Sequence, residues 1–73
     1  MKAILQYELP QEEAEHRIAV QARDMLYVLT DLDRWLRNEI KHGERPEDEE
    51  RGLQRCRDKL WDLLEDNNVD TEL

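Results

Sequence analysis

The stretch TDLDRWLRNEIKHG, residues 30–43, gathers most of the side chains in this chain that could do chemistry. Arg34, Arg37 and Lys41 step along it with Trp35 among them, Asp31 and Asp33 precede them, and His42 and Arg45 follow. Between Arg34 and Arg45 there are four bases and two acids, a local +2, which leaves −10 on the rest of a chain whose net charge is −8. Guanidinium and ammonium groups neutralise phosphates, an indole or phenol stacks on a nucleobase, and a carboxylate accepts hydrogen bonds from a guanine edge. That chemistry is binding of an anionic nucleotide, with Tyr27 one to two turns upstream as a second aromatic. A purely structural account competes with it. Asp33 and Arg37, or Arg37 and Glu44, can pair along a helix, and cations near a helix C-terminus are favoured by its dipole. From the residues alone the structural account is the stronger.

Catalysis finds no comparable support. Glu12 and His16 are four apart, as two metal ligands on a helix would be, but the third ligand and the second His of a metalloprotease motif are missing. Asp31 and Asp33 are two apart and point to different helix faces. Cys56 is the only cysteine, has no His or Asn near it in sequence, and reads as a small core residue. The chain contains no Ser. The expectation is a protein without catalytic residues, metal or cofactor.

These residues need elements to hold them. Residues 2–8 (KAILQYE) alternate apolar and polar except at Ile4 and read as a short β-strand closed by Pro10. A first helix is expected over about 11–42. Pro10 and the acids Glu12, Glu13 and Glu15 suit its start, and Lys41, His42 and Gly43 suit its end. Ala14, Ile18, Ala22, Met25, Leu29, Leu32, Leu36 and Ile40 recur every three or four residues and fall within one arc of about 80°. Val20 and Tyr27 lie nearly opposite that arc, with Asp31 and Arg34 on the same outer side, and Val28 and Trp35 flank it. A second helix is expected over about 46–66, opened by Pro46 and four consecutive acids. Leu53, Cys56, Leu60, Leu63 and Leu64 are its inner face, and a frayed tail follows over 67–73. The fold class is therefore mainly α, a strand followed by an antiparallel helical hairpin (βαα), within a single domain.

Size and composition add one inference. The 73-residue chain is 41% charged and 38% hydrophobic, with no Phe, which is too lean for an ample core. Neither an internal disulfide nor a metal cage is available, so self-association is the expected source of stability, and a lone thiol fits a reducing cytosol. A four-helix arrangement of two hairpins would cover the excess apolar face of the first helix, and two copies of residues 2–8 would pair as a ribbon across a two-fold axis. No membrane span or signal peptide is visible, and the negative charge opposes binding to duplex nucleic acid or anionic membranes.

The strand ending in LP, the acidic helix start, LTDLDRWLRNEIKHG and LWDLLEDNN together resemble a widespread group of small phage-encoded proteins. Those commonly carry Leu-Trp-Asp-Leu-Asp-Gln-Trp-Leu-Arg followed by Ile-Lys-Tyr-Gly. The likeness covers nearly the whole chain and is strongest over 29–43. Through that group the chain resembles the phage sponge proteins that counter CBASS defence. The resemblance implies an oligomer that binds a cyclic di- or trinucleotide signal without cleaving it, in the cytoplasm of the infected bacterial host. By matching position it makes Arg34, Trp35, Arg37 and Lys41 ligand contacts, with Tyr27, Asp31 and His42 beside them. Thr30 stands where the group often has Trp, and His42 where it often has Tyr. The alternative reading is a small acidic inhibitor, DNA-mimic-like, that docks on a host protein.

Overall fold

The computed structural model describes residues 1–71; Glu72 and Leu73, the end of the tail expected to fray, lie outside the described residues. Two helices, α1 (Glu13–His42, 30 residues) and α2 (Glu47–Asp66, 20 residues), pack against each other as a hairpin. Acids occupy the first turn of both, and Lys41 and His42 close α1, as the macrodipole favours.

Residues 1–8 form no strand, and none occurs among the described residues. A lone extended segment in one chain has no ladder to join, so its backbone groups are left to water or to a partner. The end of the segment is nevertheless tied down. Glu8 N–H donates to the Glu12 carboxylate at 2.9 Å, Glu12 N–H donates to the Glu8 carbonyl at 2.7 Å, and the Tyr7 ring meets His16 edge-on at 5.7 Å. This turn carries the chain through Pro10 and delays the start of α1 to Glu13.

The hairpin turns at Gly43, whose N–H donates to the Glu39 carbonyl at 2.9 Å. Its φ of −75° is open to any residue, so conformational freedom is not what glycine supplies here. It supplies room: a Cβ at this position would collide with the Glu39 carbonyl oxygen and press on Arg45 Nε at 3.1 Å. Arg45 folds back to pair with Glu39 and reaches Glu49 at 3.9 Å, bracing the turn from both helices. At the other end Asn67 N–H and Nδ2 both donate to the Leu63 carbonyl, and Asn68 takes a positive φ of 54° that ends α2.

Packing between the helices is thinner and rotated relative to expectation. Among the described residues only Leu36 and Leu64 are buried, with Leu26, Leu29, Ile40, Leu53 and Leu60 half-buried around them. Ile18, Met25 and Leu32, placed on the sequence-predicted inner arc of α1, are exposed, as are Cys56 and Leu63 of α2. The reason is a polar contact at the helix interface. Asp33, 60° round from Leu36 at 100° per residue, faces α2 and pulls the contact line toward itself. α2 is also ten residues shorter than α1 and leaves about the first third of α1 without a helix beside it. The result is elongated, 52 × 29 × 20 Å, with a radius of gyration of 17.0 Å against about 11 Å for a compact chain of this length.

Candidate functional site

Asp33 organises a polar junction between the helices, midway along their contact. Its Oδ1 accepts from Arg57 Nε at 2.8 Å and from Trp61 Nε1 at 2.7 Å, two donors one turn apart on α2. Burial by itself would raise the Asp33 pKa. The hydrogen bonds from Arg57 and Trp61, with the nearby charges of Arg57 and Arg37, outweigh it and hold the carboxyl below its ordinary value of 3.8. The pairing of Asp33 with Arg37 along α1 that the sequence suggested gives way to this contact across the hairpin.

Beside the junction lies a groove of about 220 Å³ lined by Leu29, Thr30, Asp33, Arg34, Arg37, Trp61, Leu64 and Thr71. Leu29 and Leu64 form its floor chemistry, Arg34 and Arg37 its cations, and Trp61 its aromatic. The indole is anchored at its N–H by Asp33, which fixes the ring without covering it: Trp61 is 42% exposed. A neighbouring recess of about 250 Å³ shares Thr30 and Thr71 and adds Arg23, Leu26 and Tyr27. There Arg23 Nε donates to Tyr27 Oη at 2.9 Å, with its guanidinium 5.5 Å from the ring centre.

The residues singled out from the sequence divide between several sides of α1. Arg34, Arg37 and Lys41 share one side with Tyr27, and Arg34 and Arg37 line the groove itself. Arg37 and Lys41 form no ion pair with any described residue, whereas Arg34 meets Asp31 at 3.6 Å in a pair exposed at both ends. Trp35 is about 160° round the axis from Arg37, 52% exposed, and stands apart from the groove. His42, seven residues after Trp35, ends α1 on that same side, away from the groove. Arg45 is committed to the turn: hydrogen bonding and charge from Glu39, opposed by slight desolvation and aided by Glu49, tighten its hold on its proton.

Trp61, Arg23 and Thr71 were not singled out. Trp61 belongs to a helix whose register against α1 only the fold supplies. Arg23 was legible, because Arg23, Tyr27, Thr30, Arg34, Arg37 and Lys41 alternate spacings of four and three and so form one stripe. Among the described residues no group of three His, Cys, Asp or Glu side chains could hold a metal ion, and no helix is long and apolar enough to cross a membrane. Comparison with family models, curated proteins and solved structures finds no match for this chain.

Proposed function

We propose that this protein is a non-catalytic binder that sequesters a cyclic di- or trinucleotide, the role implied by its resemblance to the anti-CBASS sponge proteins. One observation carries the reading: two arginines and a tethered, half-exposed indole line a single groove with an apolar floor. Phosphate is the natural partner of Arg34 and Arg37, and a base the natural partner of Trp61. Lys41 and Tyr27 extend the same side of α1 toward the rest of such a ligand, while Trp35, Asp31 and His42 are no longer ligand contacts in this reading. The groove is smaller than the ~300–1,000 Å³ of sites for drug-sized ligands, so a cyclic dinucleotide engages it with one base and one phosphate and runs on into the Tyr27 recess. In this reading the protein works as an oligomer in the host cytoplasm, and its N-terminal segment gains a ladder partner only from another chain.

Titration calorimetry against cyclic di- and trinucleotides tests this. Binding by the wild type, weakened about ten- to a hundredfold by Arg37→Ala, is expected from losing a charge-assisted bond of about 1.5–3 kcal/mol. Added salt weakens it further, because an anion approaches a protein of charge −8. A wild type that binds none of them, or an Arg37→Ala variant that binds as well, removes the reading and leaves docking on a host protein in front.

A further inference from the structure

The side of the hairpin turned away from the groove carries a second pattern. Ile18, Met25 and Leu32 are seven residues apart, and Gln21, Val28 and Trp35 repeat the same step three residues on. Two interleaved sevens offset by three are the a and d positions of a helix-to-helix seam. α2 does not occupy this seam. Each of its five apolar members is at least 43% exposed, and they lie on the flank of α1 opposite Arg37. The seam contains no acid, although the chain has 19. On α2 the exposed Cys56 and Leu63 fall on the same face of the hairpin, since the two helices run in opposite directions and both positions lie about 100° from their contact line.

The accessible surface is large for a chain of this mass. The chain exposes 6798 Å², about 2,000 Å² more than the ~4,800 Å² of a folded monomer of its 8.9 kDa mass. The exposed residues 1–6 account for part of that excess, and the remainder on two chains is of the order of the ~2,000–5,000 Å² that obligate homodimers bury.

We propose that a second copy of this chain covers this face, the two α1 helices crossing antiparallel along the 18–35 seam to make a four-helix dimer with its ligand grooves on the outside. A second copy fits better than an unlike partner for two reasons. A protein of charge −8 would meet a basic partner through its acids, and the seam has none. The first third of each α1, which has no helix beside it, also comes opposite the part of the other's α1 that carries α2, so antiparallel crossing brings the Cys56 side of each α2 toward the start of the other's α1. The seam is about 26 Å long and self-complementary under a two-fold axis. Because it lies opposite Arg37, each chain keeps its own groove, and ligand site and dimer contact are separable.

Sedimentation equilibrium tests the assembly without any ligand. The wild type is expected at twice 8.9 kDa, Met25→Glu at the monomer mass, and Val20→Glu, more exposed still but on the Tyr27 side of α1 and so off the seam, at the dimer mass. Because Met25→Glu could also act by unfolding the hairpin, a second measurement uses a folded dimer: a spin label on Ile18→Cys in a Cys56→Ser background. Antiparallel helices place the two labels roughly 26 Å apart, and parallel ones bring them side by side. A wild-type monomer, an oligomer that Met25→Glu leaves intact, or labels in contact overturns the proposal, whatever calorimetry finds at the groove.

Discussion

Asp33→Ala is the most informative single substitution for the hairpin. It removes the one oxygen on which Arg57 and Trp61 converge, at 2.8 and 2.7 Å. A hydrogen bond to a charged partner contributes about 1.5–3 kcal/mol and a neutral donor about 0.5–1.5 kcal/mol. The Asp33 and Arg57 side chains are 19% and 28% exposed, so water screens part of this. Alanine also recovers a few tenths of a kcal/mol, roughly, in helix propensity. The net expectation is a loss of about 2 kcal/mol, or roughly 8–16 °C in Tm for a domain this small. Thermal unfolding followed by circular dichroism, at one protein concentration throughout, measures it. Asp31→Ala is the control: it lies two residues earlier, its 3.6 Å pair with Arg34 is largely exposed, and its loss is expected within about 0.5 kcal/mol. If the two alanine variants melt together, or if Asp33→Ala and Arg57→Met prove additive in a double-mutant cycle, the junction does not hold the helices as described.

The same carboxyl sets a pH dependence. Its folded pKa lies below 3.8, so its stabilisation is complete above the unfolded value and is lost as pH falls through the lowered one; the stability difference between wild type and Asp33→Asn therefore shrinks below about pH 4 in acid titrations of Tm. Gly43→Ala, which drives a methyl into the Glu39 carbonyl, is expected to destabilise by about 1–3 kcal/mol in urea unfolding. Trp61→Leu is expected to weaken nucleotide binding in calorimetry while Trp35→Leu leaves it within about twofold, since a stacked base contributes about 1–3 kcal/mol and only Trp61 lines the groove.

Both helices were legible because their signals are local: acids at each start, Lys41, His42 and Gly43 at one end, Asn67 and Asn68 at the other. The arc of apolar residues on α1 was legible too, but it hid two surfaces. Leu29, Leu36 and Ile40 meet α2, whereas Ile18, Met25 and Leu32 do not. Periodicity shows that a helix has an apolar side; it does not say how many neighbours share it. The junction was out of reach for a related reason. Asp33 reads as one more charge on a charged helix until Arg57 and Trp61, 24 and 28 residues later, are set opposite it. Trp35 drew attention through nearness in sequence to Arg34 and Arg37, yet adjacent helical residues point 100° apart, and the aromatic of the groove comes from the other helix. Arg34 and Arg37 were found because the property that marks them, spacing along one helix, survives folding unchanged. The strand at residues 2–8 was an expectation about pairing, and pairing is decided by a second segment that one hairpin does not contain.

Thr71 has a practical consequence. It is half-buried and contributes to the walls of both the Arg34–Trp61 groove and the Tyr27 recess. A reporter or affinity handle fused behind residue 73 therefore starts two residues from the groove, where it competes with whatever enters. Residues 1–6 are exposed, precede the start of α1 and line neither the groove nor the recess. Surface tethering, labelling and pull-down formats that hold the protein by its first residues leave the groove open to the solution; the same formats reversed would blunt the measurement before any ligand was added.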